Sequence, residues 1–577
     1  MEYSYDKKSW FATNQNFYYC VYSHIHYDSQ NSGKMKIDRL IGRIFCERRI
    51  LIWKLYILLI ILTCAGLIYH TYDFTFSVSD QFSTYVWHQR RLYFVGDGNP
   101  GALLKVHGDL LLDILNNGVS DVDSIASSAT NGPFANQPTF NWCPKTDDFT
   151  YLSVDFPENA TIWPDCGKIF DNDREEIKFS SQWSSPCELT NEQVANLSDD
   201  CRSMYDIFHF DPQVYTLEMK AANFTVYPLA FVILAGEKYA HQVYRLMSQI
   251  YRPWNAYCIN LDDDGSADFK RAMKNLDKCF ANIIMPKKFL NIKWASSTIL
   301  ESTMDCLQLL NDYDSALPWR YVQFVSWNDF PLRTMNEMVR IVKILNGSQD
   351  SELTRVYSLG LTSIKSLHTL HRYEKFHQDA DIDEKRKNVA KPVPPGDLVV
   401  YKGSMAATLS REFVHYVFAD KTARRFFDWC KSTYAPEEHY WSTLIHNRHA
   451  NAPGPFPSSC LPYYEFKKKA KPFISRHQVW YHGCKGKLTS GSCVFGVGDL
   501  PALISKKELF AHKLYMKFQP AAYYCMSKLY FDRTLNSNNL GVGRNDSWLS
   551  NNFDEEFYSN LPSVRYHRME DKSNFTC

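Results

Sequence analysis

The sequence carries no surplus of charge of either sign: 64 Lys and Arg stand against 63 Asp and Glu, a formal net charge of +1. Such a balance leaves no electrostatic footprint for a polyphosphate chain, so nucleic acid is not an expected partner. No self-similar repeat of about 20 to 50 residues occurs, which excludes solenoids and propellers. Nor is there a long low-complexity tract, and with 45% apolar residues a disordered chain is excluded as well. A length of 577 residues suffices for a large core and leaves room for about two or three units. Aromatic residues make up 15%, a proportion that sugar-handling clefts and a Tyr- and Phe-rich core explain equally well.

Long apolar runs are scarce too. One stands out, Leu55 to Tyr69, extended back to Ile50 when Lys54 snorkels toward the surface. It supplies about the 20 residues needed to cross a bilayer. Arg39, Arg43, Arg48 and Arg49 precede it, and no Lys or Arg follows until Arg90. The positive-inside rule then predicts a cytoplasmic N-terminus and a lumenal remainder. A buried core helix or a cleaved signal peptide is the competing reading, and Cys64-Ala65-Gly66 offers a small-residue cleavage site. The 49 residues ahead of the run are unusually many for a signal peptide, which favours an anchor. Asn159, Asn196, Asn223, Asn346, Asn545 and Asn574 each begin a sequon, and all follow the run. So do 13 of the 16 cysteines, a usage that suits an oxidising compartment. An odd number leaves at least one free or paired between chains.

Regular alternation of strand and helix signals begins near Tyr227. Pro228 to Ala235 is a short apolar run bounded by Gly236, and Lys238 to Tyr251 then puts Val243, Leu246, Met247 and Ile250 on one helical face. Ala256 to Leu261 reads as a second strand, Phe269, Met273 and Leu276 as a second helical stripe, and Tyr321 to Trp327 as a third strand. Such alternation predicts an α/β fold with a mostly parallel sheet. Ligands in these sheets bind beyond the carboxyl ends of the strands, which places Gly236, Asp262 and Asn328-Asp329 near one crevice.

Ordered blocks then resemble one family. Phe231-Val232-Ile233-Leu234-Ala235, Ile250-Tyr251-Arg252-Pro253, Tyr257 to Asp262, Cys279-Phe280-Ala281-Asn282, Trp294, Pro318-Trp319-Arg320-Tyr321 and Asn328 to Thr334 come in sequence. Tyr434 to Trp441 and Gly496-Val497-Gly498-Asp499-Leu500 follow. Together they resemble the core-2/I-branching β-1,6-N-acetylglucosaminyltransferases over about residues 165 to 530. The resemblance implies a GT-A-like nucleotide-sugar fold, inversion at the anomeric carbon, and a UDP-N-acetylglucosamine donor used without metal or other cofactor. It also implies a single-pass type II Golgi membrane glycoprotein. Its segments would be a cytoplasmic tail at 1–49, an anchor at 50–70, a lumenal stem at 71–164, a catalytic domain at 165–531 and a C-terminal tail at 532–577. Expected partners are a UDP-sugar and a glycoprotein or glycolipid glycan, with a homodimer an open option.

The resemblance also names residues. Cys484 would pair with Cys493, Cys258 with Cys306, Cys201 with Cys279 and Cys166 with Cys525, while Cys143, Cys187, Cys430, Cys460 and Cys577 stay unassigned. Inverting transfer to a hydroxyl needs one carboxylate as base, and Glu438 matches the catalytic glutamate of the family. Pro436 suits the first turn of a helix whose dipole favours an ionised acid there, although Glu437 or Glu438 would serve equally as a capping charge. Lys513 matches a lysine that meets the diphosphate, but the arginine that partners it in the family is Ser490 here, with Lys485 or Lys487 as substitutes from the same loop. Asp262 matches a carboxylate near the uridine, and the family histidine at the end of the first strand is Gly236. Asp262-Asp263-Asp264 also contains the Asp-x-Asp pattern that holds metal in other enzymes, and equally suits a solvated turn. For the acceptor, Asp329 and Arg333 occupy a family block, and Trp480, Tyr481 and His482 lie where the family offers aromatic faces. UDP-xylose use, as in the related peptide xylosyltransferases, and an inactive glycan-binding protein are the alternatives.

Overall fold

The computed structural model describes residues 142–143 and 163–577, apart from 213, 216–217, 219–225, 237–238, 314–317, 356–390, 468–469 and 538–552. The expected tail at 1–49, the anchor at 50–70 and most of the stem lie outside the described residues, as do Asn159, Asn223 and Asn545. No helix among the described residues is long and apolar enough to cross a membrane.

The strands are β1 Leu229–Ala235, β2 Ala256–Leu261, β3 Ile283–Ile284, β4 Tyr321–Ser326, β5 Asp329–Pro331, β6 Asp350–Ser351, β7 Thr354–Arg355, β8 Tyr401–Lys402, β9 Ala407–Ser410, β10 Arg476–Gln478, β11 Lys487–Thr489, β12 Ser492–Val494 and β13 Phe510–His512. A six-stranded sheet has the order β3-β2-β1-β4-β9-β6. Its first four strands are mutually parallel, and β9 runs antiparallel to both β4 and β6. The chain is thus α/β with a mixed, mostly parallel sheet.

Both faces of the sheet are covered, which explains why β1 and β2 read as unbroken apolar runs. Side chains alternate across a strand. Phe231, Ile233, Tyr257 and Ile259 therefore enter one core with the helices Ala240–Ile250, Ala267–Cys279 and Met335–Leu345. Val232, Cys258, Val322 and Phe324 enter a second core with Ser297–Asn311, Arg411–Ala419 and Tyr440–His446. Local chemistry sets the helix ends: Ser266 caps Ala267–Cys279, and Thr334 with Glu337 forms a capping box for Met335–Leu345, which stops at left-handed Asn346.

A smaller sheet, β10-β13-β5, and the hairpin β11-β12 sit over a third core around Phe330, Phe495 and Tyr523. Trp142, from the expected stem, is buried in that core, and Cys143 bonds Cys187. Four further disulfides are the pairs that the resemblance implies: Cys166–Cys525, Cys201–Cys279, Cys258–Cys306 and Cys484–Cys493. A sixth joins Cys460 to Cys577, leaving Cys430 as a buried free thiol, which accounts for the odd count. The expected tail boundary at 531 falls inside the helix Pro520–Ser537. Beyond it, Tyr558, Leu561 and Val564 are buried in the same core as β1, so residues 553–577 form part of this body.

Candidate active site

In the large sheet, β1 connects toward β2 on one side and pairs with β4 on the other, so a topological switch lies between β1 and β4. Gly236 follows β1 there, and a β-carbon on it would stand 3.2 Å from the indole nitrogen of Trp327, just past β4. Trp327 stacks on Tyr515 at 5.4 Å between ring centroids, and the Lys513 ammonium lies 5.7 Å from the Tyr515 ring. Strand ends and Lys513 are thereby brought to one region. Asp262, beyond β2, accepts hydrogen bonds from the amides of Ile292 and Asp264. Its neighbours point elsewhere, Asp263 to Lys270 and Asp264 to Asn291, as in a solvated turn. Among the described residues, the group of three potential metal ligands in mutual reach is Cys484, Cys493 and Asp499, whose sulfurs form a disulfide.

Asp329 differs from the expectation that it faces an acceptor. The carboxylate is fully buried, with Oδ1 2.7 Å from Nδ1 of His512, and Oδ2 accepting from Arg476 at 2.7 Å and from the Ser326 amide at 2.8 Å. Burial would raise its pKa, but Arg476, His512 and the Ser326 amide outweigh that and hold the carboxyl below its ordinary value. An ionised carboxylate at Nδ1 fixes the proton on that nitrogen. Burial first, then Arg476 and Lys513, lower the His512 pKa against the raising effect of Asp329, so its neutral form is favoured. Asp329 thus positions His512, the residue directly before Lys513. Arg333 is turned away as well: its guanidinium donates to the Lys506 carbonyl and pairs with Glu337 at 3.7 Å.

Lys513 is held by its backbone between Cys493 and Phe495, which ties it to the disulfide hairpin. Ser490 and Gly491, both at positive φ, form the two-residue turn of that hairpin. Lys487 packs its ammonium on Phe518 at 4.5 Å, and the stem of Lys485 lies against Gly498. Trp480 bridges to Ser492 on the hairpin and, with Tyr481, is more than half exposed, at 52% and 58%. His482 is exposed beside them.

Glu438 ends a single 3-10 turn, Pro436–Glu438, entered through left-handed Ala435. The Ala435 amide bonds the carbonyl of Ala295, next to Trp294, which is 79% exposed and packs edge-on against Tyr434 at 5.7 Å. The Glu438 side chain is 27% exposed and its Oε2 lies 3.3 Å from Lys402 Nζ. Its neighbour Glu437 is buried, so of the two acids it is Glu438 that solvent reaches. Lys402, His512, Arg476 and Trp327 went unnoticed in the sequence. His512 alone had a local signal, its place before Lys513. Asn196, Asn346 and Asn574 are exposed.

Residues 229–461 match the family profile described as Branch: Core-2/I-Branching enzyme. The N-acetyllactosaminide beta-1,6-N-acetylglucosaminyl-transferase of Mus musculus is 30% identical over 318 residues, covering 55% of this chain and 76% of the relative. The beta-1,3-galactosyl-O-glycosyl-glycoprotein beta-1,6-N-acetylglucosaminyltransferase 4 of Mus musculus is 29% identical over 380 residues, 65% of this chain and 81% of the relative. The probable beta-1,3-galactosyl-O-glycosyl-glycoprotein beta-1,6-N-acetylglucosaminyltransferase 7 of Homo sapiens is 32% identical over 302 residues, 52% and 67% respectively.

Proposed function

Because this chain belongs to the core-2/I-branching β-1,6-N-acetylglucosaminyltransferase family, we propose that it transfers N-acetylglucosamine from UDP-N-acetylglucosamine, with inversion, to O-glycan or related acceptors. The fold would be of the GT-A type and the setting the Golgi lumen, with residues 50–70 as a type II anchor. Glu438 takes the proton of the acceptor hydroxyl as its oxygen attacks the anomeric carbon. The bond from that carbon to the β-phosphate oxygen breaks, and the electron pair leaves with UDP. Lys513 meets the charge that develops on the diphosphate. Asp262 lies toward the uridine, and Trp480 offers an exposed aromatic face to the acceptor sugar.

The observation that carries this reading is the partly exposed Glu438 carboxylate on a turn tied to Ala295, beside the exposed Trp294. The test is transfer from UDP-N-acetylglucosamine to a Galβ1,3GalNAc glycoside and to N-acetyllactosamine, with and without EDTA. Expected are one productive acceptor class, indifference to EDTA, and loss of transfer by about 10²-fold or more in Glu438→Gln. Full transfer by Glu438→Gln would sink it. Ser490, standing on the hairpin turn at the position where the resemblance implies an arginine, favours a second reading, a glycan-binding protein without turnover. That reading predicts glycan binding with no product from either UDP-N-acetylglucosamine or UDP-xylose.

A further inference from the structure

The Glu438 carboxylate does not stand alone. Lys402, the last residue of β8, approaches its Oε2 at 3.3 Å while donating to the carbonyl of Gly403 at 3.2 Å. The backbone repeats the tie, since the Gly403 amide donates to the Glu438 carbonyl at 2.6 Å. Position 403 has to be glycine for this approach: a β-carbon there would lie 1.8 Å from the Ser442 hydroxyl and 2.5 Å from the Glu352 carbonyl. The same short segment therefore fixes both the backbone and the side chain of the acid.

A second carboxylate lies behind. Glu352, between β6 and β7, is half-buried; its partial burial raises its pKa, Lys402 opposes that, and the Glu438 charge raises it further. Among the described residues, further charged and titratable groups near this cluster include Lys471, whose Nζ donates to the Ser351 carbonyl at 2.7 Å, Asp350 on β6, and Glu437 and His439 on the turn itself. His439 is occupied by the Tyr401 carbonyl, and Asp350 by Ser475 and the Ile474 amide. Among the described residues, Lys402 is a cation in direct contact with Glu438, with a second acid in its field.

We infer that Lys402 is a positioning residue for the proposed base: it aims the Glu438 carboxylate and keeps it ionised against the charge of Glu352. This rests on Glu438 being the base. During transfer the acceptor proton neutralises Glu438, and the ammonium remains in the field of the half-buried Glu352. The ammonium itself neither gains nor loses a proton.

The test is the pH profile of kcat/KM for the full-length chain, using UDP-N-acetylglucosamine with the same two glycan probes. Below the acid limb the free enzyme has lost its ionised base. An opposite charge within about 4–6 Å moves a carboxylate by about one unit or more, so Lys402→Met should move the acid limb up by about one pH unit, and Lys402→Arg should leave it within about 0.3 unit. Glu352→Gln should move the limb down. A Lys402→Met enzyme that loses rate at all pH values with the limb unmoved would overturn the inference, since a packing role predicts that result. If melting curves show that Lys402→Met does not fold, Glu352→Gln decides, and an unmoved limb there overturns it. Transfer retained in Glu438→Gln would instead remove the base reading, a failure visible before any limb is compared.

Discussion

The indole of Trp327 fills the space beside Gly236, where a β-carbon would come within 3.2 Å of its ring nitrogen. The Trp327 amide is bonded to the Leu234 carbonyl and its ring is stacked on Tyr515, so the indole has little freedom to retreat. A residue that substitutes for the expected histidine is therefore matched by a bulky neighbour across the strand switch. Gly236→His should push Trp327 into the crevice and weaken UDP binding by about tenfold, on the order of 1.4 kcal/mol. Calorimetric titration with UDP measures this, and Gly236→His combined with Trp327→Gly should recover part of the loss. Unchanged affinity in Gly236→His would separate this pair from the nucleotide.

Asp329 joins β5 to Arg476 on β10 and His512 on β13, so one buried carboxylate fastens all three strands of the small sheet. Removing it strands the Arg476 guanidinium, and Asp329→Asn should cost about 3–5 kcal/mol of stability. The pH dependence has a definite sign. Its folded pKa is depressed, so the stabilisation is complete above the unfolded value of about 3.9 and is lost as pH falls through the folded value. Thermal melts of both proteins at pH 7 and pH 3 should show a gap that narrows at the lower pH. A constant gap would assign the loss to packing.

The sequence made the central strands legible because β1, β2 and β4 are long, apolar on both faces and separated by amphipathic helices. Pro228–Ala235, Ala256–Leu261 and Tyr321–Trp327 coincide with the observed strands to within a residue. The antiparallel side of the sheet was not legible. β6 has two residues and β9 four, too few to show a period of two, and their pairing joins segments far apart in the chain. The site divides in the same way. Glu438, Lys513 and Asp262 stood out within blocks of residues, whereas Lys402 and Trp327 acquire a role only through contacts made across the fold. Asp329 shows the converse, since a charged residue in an acceptor-like block is drawn into a buried pair with Arg476 that no local pattern reveals, whereas Arg333 meets Glu337 four residues on.

Lys513 is buried, its ammonium beside Tyr515, and its backbone is fixed by Cys493 and Phe495. A preorganised cation facing a developing diphosphate charge acts mainly on the chemical step. Lys513→Met should lower kcat for transfer by about 10²–10³-fold while the melting temperature changes little, and Lys513→Arg should restore part of it. Steady-state kinetics with UDP-N-acetylglucosamine supply the comparison. Loss confined to KM would instead make Lys513 a residue of ground-state binding.

Cys577 closes the chain onto Cys460, a separation of 117 residues, while Tyr558, Leu561 and Val564 bury the segment before it against the main core. The disulfide and the apolar contacts therefore act at different points of the same segment. Cys577→Ser removes the constraint on the unfolded chain, worth about 2–4 kcal/mol, but leaves the apolar anchors in place. Hydrogen exchange should accelerate most at residues 572–577 and less at Tyr558 and Val564, because local opening requires little burial to be undone at the terminus. Uniform acceleration from 555 to 577 would mean that the bond, and not the three apolar side chains, holds the segment to the domain.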